Sequence, residues 1–244
     1  MRIMRHYLWS AVGCWLLCTG GAQAANHFKI IRQYVENNGS KTFQVTWELS
    51  QCDTLVLVYK TDLETHRTQT NGMLATISWS MMNASGQHDV KAVRDDNTIV
   101  IRGIYGGQRV DKTITIDDAP WFQATSLSLR ALVQSPEKEI VYWSVRPETL
   151  KAYKLKAVEK GSEAIQVGGR NVQTVKIEAR LTGWLAPFWK STYWYDDRDG
   201  YLLKFESAAD AQGIQRLNLT FTGQATSQKI NCSAVGSPDV LLTK

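Results

Sequence analysis

The sequence is 244 residues long, with 28 basic and 23 acidic side chains and a formal charge of +5. So small an excess lacks the clustered basic face by which nucleic-acid binding announces itself, and nucleic acid is excluded as an expected partner. Residues 1–6 carry Arg2 and Arg5 and no acid, residues 7–18 are almost continuously apolar, and Thr19-Gly20-Gly21 breaks the run before Ala22-Gln23-Ala24. A basic start, a short apolar stretch and a small-x-small site are the parts of a cleavable secretory signal peptide over residues 1–24. Cleavage before Ala25 releases the mature chain into the periplasm. A retained anchor is the weaker reading: a helix needs about 20 apolar residues to cross a bilayer core of roughly 30 Å. No transmembrane segment is therefore expected in the mature chain. Ala11-Val12-Gly13-Cys14 partly matches a lipobox, but it would leave a very short apolar region before the cysteine.

The mature segment, residues 25–244, keeps 26 basic and 23 acidic residues, a formal +3. A chain of this size buries roughly 70% of its unfolded surface as one domain with a substantial core. Cys14 and Cys18 leave with the leader, so Cys52 and Cys232 remain as an even pair in an oxidising compartment, expected to form one disulfide. The alternative is two free thiols. With no histidine nearby, the two cysteines make neither a metal site nor a redox motif.

Alternation with period two runs along the mature chain. Phe43, Val45, Trp47 and Leu49 form one apolar row, and residues 55–59, the set Ala75, Ile77, Trp79 and Met81, and residues 99–105 repeat it. Later, Tyr153, Leu155 and Ala157 alternate with lysines; Val175, Ile177, Ala179 and Leu181 with charged residues; Leu217, Leu219 and Phe221 with polar ones. Gly106-Gly107, Gly168-Gly169 and Asp199-Gly200 supply the turns. Closely spaced strands and turns predict a mainly β fold, a large curved antiparallel meander sheet in which sequential strands pair. One segment breaks the rhythm. Residues 121–134 place Phe122, Leu129, Leu132 and Val133 at helical spacing, with Asp118 as cap and Pro120 in the first turn, and Ser135-Pro136 as stop. A single helix packed on the concave face of the sheet is expected there.

No catalytic or metal constellation is legible, and no cofactor is expected. His27, His66 and His88 are far apart and read as surface residues. No nucleophile-elbow serine and no phosphate loop is present. Asp196-Asp197-Arg198-Asp199-Gly200 approaches a calcium loop, but Tyr195 occupies its first ligand position and strands flank it, so it reads as a solvated turn. Asp95-Asp96 and Asp117-Asp118 read as turn and cap residues rather than a glycosidase pair.

Aromatic density is the outstanding feature. Trp143, Trp184, Trp189, Tyr193, Trp194 and Tyr195 crowd into about sixty residues. Because residues 193–195 are consecutive, one face of that strand is core and the other needs cover from a ligand, the helix or a partner.

Residues 115–222 carry a resemblance. Asp118-Ala119-Pro120-Trp121-Phe122-Gln123, Val141-Tyr142-Trp143-Ser144-Val145-Arg146-Pro147, Gly183-Trp184-Leu185-Ala186-Pro187-Phe188-Trp189, Tyr193-Trp194-Tyr195 and Gly200-Tyr201-Leu202-Leu203-Lys204-Phe205-Glu206 resemble a bacterial envelope family of unknown function. Members of that family are similar in architecture to lipoprotein-carrier proteins. The resemblance implies a half-barrel around a helix with an apolar interior, and brings no catalytic residues. The leading expectation is a non-catalytic periplasmic binding or carrier protein for an apolar or amphipathic envelope molecule or lipid, with Trp143, Trp184, Trp189, Tyr193 and Trp194 lining its site. A protein-interaction or scaffold module contacting envelope proteins is the alternative, and a polysaccharide hydrolase the third.

Overall fold

The computed structural model describes residues 27–39, 41–207 and 217–232. The leader read in residues 1–24 lies outside them. The described residues form one antiparallel sheet of fourteen strands: β1 (Phe28–Asn38), β2 (Thr42–Gln51), β3 (Leu55–Lys60), β4 (Glu64–Thr70), β5 (Thr76–Asn83), β6 (His88–Asp95), β7 (Thr98–Tyr105), β8 (Gln108–Thr115), β9 (Glu139–Arg146), β10 (Lys151–Val167), β11 (Arg170–Leu181), β12 (Lys190–Asp196), β13 (Leu202–Ser207) and β14 (Leu217–Lys229). The meander is as expected, with one displacement. The first and last strands pair with each other, and the break falls between β8 and β9, which become the two edges. There the chain leaves the sheet to make its helical stretch, α1 (Thr125–Ser128) and α2 (Arg130–Gln134).

Turn chemistry follows the sequence. Gly106 and Gly107 close the β7–β8 hairpin with φ of 59° and 73°, values that L side chains rarely adopt. Asp96 (φ 51°) turns β6 into β7. The Cys52–Cys232 disulfide joins the end of β2 to the chain just after β14, with Cα atoms 5.8 Å apart and a sequence separation of 180. In the loop-entropy view, closing so long a loop stabilises by at most about 5 kcal/mol.

The sheet curls until it overlaps itself, and two cores result. The first lies inside the curve, where Tyr34, Val45, Leu155, Ile177, Tyr193 and Tyr195 surround Leu127, Leu129 and Leu132 of the helical stretch. The second is a seam. Trp143 and Val145 stand on the opposite face of β9 from Tyr142, yet they pack with Trp79, Met81, Val90, Ile99 and Ile101, which belong to the inward rows of β5, β6 and β7. The β9 edge is thus rolled inside the β5–β8 end, and Lys112 Nζ of β8 donates to the Leu150 carbonyl at 2.6 Å across that overlap.

A short strap, residues 120–123, fastens the seam. Trp143 N–H donates to the Pro120 carbonyl and Phe122 N–H to the Trp143 carbonyl, both at 2.8 Å, so the strap runs parallel to β9. On its other side Thr76 N–H of β5 donates to the Trp121 carbonyl at 2.7 Å, and Gln123 N–H donates to Thr76 Oγ1 at 2.9 Å. Gln123 Nε2 donates to the Val145 carbonyl, while its Oε1 accepts from Val145 N–H and from the Trp121 indole.

Two expectations are corrected here. The helix begins at Thr125 rather than Trp121, because residues 121–123 give their backbone groups to two strands, and Asp118 is not its cap. No side chain caps α1. The Tyr195 hydroxyl of β12 donates to the Thr125 carbonyl at 3.3 Å, and Tyr193 Oη lies 3.0 Å from Thr125 Oγ1, anchoring the start of the stretch without capping it. Ile77 leaves the apolar row of β5, being 37% exposed, because the β4–β5 register slips after Gln69 and puts Thr76 inward instead.

Trp121 is fully buried in the seam. Trp121→Ala should therefore lower unfolding stability by about 3–5 kcal/mol, read from denaturant or thermal melts.

Candidate functional site

The inner core does not fill the curve. A cavity of about 650 Å³ remains between the helical stretch, the inward faces of β1–β5 and the inward faces of β9–β14. Pockets of roughly 300–1,000 Å³ hold small ligands. Leu57, Leu155, Phe205, Leu217 and Leu219 give it an apolar wall, and Tyr153 and Leu181 stand beside the 3₁₀ turn Gly183–Phe188. Trp184 and Leu185 of that turn also border it, and Trp184 is 80% exposed.

Of the five residues expected to line a ligand site, the structure brings three together. Trp184, Trp189 and Tyr193 border the cavity. Trp143 and Trp194 are not among the residues that line it. Trp143 lies in the seam, its indole donating to Asp117 Oδ1 at 2.7 Å with Lys154 Nζ 5.7 Å from its ring. Asp117, which Lys154 also pairs with, is held down to about 2 by the Lys154 and Trp143 hydrogen bonds.

Trp194 resolves the question of cover posed by the three consecutive aromatics. It lies on the convex face, opposite Tyr193, between Lys176 of β11 and Lys204 of β13 in the strand register. Their ammonium groups stand 5.3 Å and 4.8 Å from its ring, and its indole donates to Glu163 Oε1. The lysine stems are long enough to shield the ring while keeping their charge in water. The cover is the chain's own.

A polar patch that the sequence reading missed faces the cavity from β1, β3, β4 and β5. Glu36, Tyr59, Glu64, His66 and Trp79 line one wall. The Tyr59 hydroxyl donates to Glu36 Oε2 at 2.7 Å, His66 Nε2 stands 3.1 Å from Glu64 Oε1, and the Trp79 indole donates to His66 Nδ1 at 3.4 Å. His66, expected on the surface, is thus corrected to a half-buried wall residue. Burial pushes the Glu36 carboxyl above the usual carboxylate range. The His66 hydrogen bond holds Glu64 below it. Burial likewise raises the Tyr59, Tyr142, Tyr193 and Tyr195 hydroxyls, and pushes Tyr34 up to about 12.

Among the described residues no group of three or more His, Cys, Asp or Glu side chains is placed to hold a metal ion. None of their helices is long and apolar enough to cross a membrane.

No family model and no curated protein sequence matches the chain. The fold is shared with a β-barrel-like protein of the domain of unknown function DUF1849 from Brucella abortus, with a TM-score of 0.52 and 8% identity over 84% of this chain and 98% of that one. The hypothetical lipoprotein YmcC from Escherichia coli K12 aligns over 84% of this chain and 87% of its own, at 13% identity and a TM-score of 0.37. A putative outer membrane lipoprotein-sorting protein domain from Vibrio parahaemolyticus aligns over 82% and 85%, at 11% identity and 0.32. At such identities the likeness is one of fold, and it rests on the Brucella protein. The curved half-barrel around one helical stretch, expected from residues 115–222, is what the structure has.

Because the folded state raises the Glu36 pKa, the fold binds that proton more tightly than the unfolded chain does. Stability should therefore fall as pH rises through and above the ordinary carboxylate value of 4.5. Glu36→Gln should raise the melting temperature at pH ~7 and leave it nearly unchanged at pH ~4, measured by calorimetry at both pH values.

Proposed function

We propose that this chain is a non-catalytic periplasmic binding or carrier protein for an apolar or amphipathic envelope molecule, released from its leader and held as one domain by the Cys52–Cys232 bond. The observation that carries this reading is the cavity of about 650 Å³ left inside a fold whose neighbouring interior is tightly filled. Close packing is the norm for protein interiors, and an opening of this size is kept against the hydrophobic gain of closing it. Its apolar wall suits an alkyl chain. Trp184, Trp189 and Tyr193 take the ligand-facing roles, with Trp184 at the solvent side.

The scaffold alternative needs an edge strand inviting a partner. β8, one free edge of the sheet, carries Arg109, Asp111 and Lys112, charges of the kind that discourage strand addition. The edge therefore favours the carrier reading.

Native mass spectrometry of protein purified gently from the bacterial envelope should show an added mass that solvent extraction removes. The emptied protein should take up a fluorescent alkyl amphiphile with a neutral or amine head. Leu155→Trp, which fills the apolar wall, should weaken that uptake at least about tenfold while costing about 1–3 kcal/mol of stability. An empty native protein that takes up no amphiphile would contradict the proposal, and a protein partner retained after delipidation would favour the scaffold.

A further inference from the structure

The polar wall of the cavity has an imbalance of charge. Glu36 and Glu64 are both half-buried there, and neither has a Lys or Arg partner among the described residues. Glu36 has only the Tyr59 hydroxyl, and Glu64 only His66. The Trp79 indole N–H donates to His66 Nδ1, and His66 Nε2 stands 3.1 Å from Glu64 Oε1 without a well-aligned hydrogen bond. Arg146, also on the cavity, lies 3.4 Å from Glu148 and so meets a carboxylate of its own. Carboxylates drawn out of water are ordinarily paired, because desolvation costs more than hydrogen bonds to neutral groups return.

The surroundings point to what the missing partner is. Tyr59, His66 and Trp79 form a run of rings along this wall, Tyr59 edge-on to His66 at 5.6 Å and His66 to Trp79 at 5.9 Å. Trp47 stands next to Tyr59 in the strand register and lines the same cavity. Trp47 is 6% exposed, its ring closing the wall behind Tyr59. Aromatic faces attract organic cations through their quadrupole, most strongly when water is excluded, and flanking carboxylates add direct charge attraction. The same wall repels a carboxylate or phosphate approaching without a positive group of its own.

We infer that the cavity selects amphiphiles with a positively charged ammonium head group, seated between Glu36 and Glu64 against the rings of Tyr59 and Trp79, with the tail along Leu57, Leu155 and Leu219. The inference rests on the carrier reading above and adds the chemical class of its ligand. It also accounts for the conflict between Glu36 and stability: a carboxylate costly in the empty protein is met when the cation binds.

The test compares amphiphiles that share one dodecyl chain and differ only in the head. Dodecyltrimethylammonium, dodecyl maltoside and dodecanoate, each below its micelle concentration, are titrated into the mature chain with tryptophan fluorescence and calorimetry as readouts. The ammonium compound should bind about tenfold more tightly than the neutral maltoside, and dodecanoate more weakly than either. In the Glu36→Gln, Glu64→Gln double variant, which keeps shape and hydrogen-bonding capacity, the ammonium should fall to the affinity of the maltoside, whose own binding stays unchanged. Leu155→Trp should weaken all three alike. Binding of all three with equal affinity, or with dodecanoate preferred, would overturn the head-group assignment and leave the carrier reading standing. Failure of every compound to bind would overturn both.

Discussion

The fold depends on how a long sheet is kept curled without closing. Fourteen antiparallel strands accumulate twist, and a sheet that large either closes into a barrel or must be held where it overlaps itself. Here the four residues of the strap hold it. By giving hydrogen bonds to β9 on one side and β5 on the other, residues 120–123 fix the distance between two layers of the same sheet, and Trp121 fills the space between them. Gln123 completes the fastening by using both ends of its amide. With the seam set, the helical stretch that follows must enter the curve, where Tyr193 and Tyr195 receive it. The cavity is what remains between that stretch and walls it cannot reach.

This arrangement explains why the inward row of β4 is polar. Glu64, His66, Thr68 and Thr70 face inward, where an ordinary core strand would carry aliphatic residues. Thr68 and Thr70, away from the cavity's acidic end, are buried, and Thr70 donates to the Leu55 carbonyl. Glu64 and His66 face the open volume. A strand built this way contributes little apolar burial to stability, and polar groups retained at such cost are characteristic of sites that trade stability for function.

Much of the architecture was legible because alternation survives wherever one face is dry. The rows of β2, β10, β11 and β14 and the glycine turns follow from local pattern, and the cysteine pairing from the even pair expected to remain after a leader. The rest depended on contacts between distant parts of the chain. In β1 the inward row includes Arg32 and Glu36, which interrupts the apolar pattern; Arg32 is accommodated over the Phe221 ring at 3.9 Å, a contact that period-two reading cannot supply. β4 has no apolar residue at all, so His66 looked like a surface histidine. The tryptophans were conspicuous by number, but their faces were decided elsewhere: Trp194 by its register between two lysines, and Trp143 by the sheet rolling over its own edge. The strap carries a helical signal because Phe122, Leu129 and Leu132 keep helical spacing across a backbone that is extended in its first part.

The central claim is that the space inside the curl is a ligand cavity. Nuclear Overhauser contacts from a protonated alkyl amphiphile to a deuterated, leucine-methyl-labelled protein test it most directly. Contacts to Leu57, Leu155 and Leu219 are expected. Contacts only to Leu63, which is 56% exposed on the outside, or none at all, would contradict it.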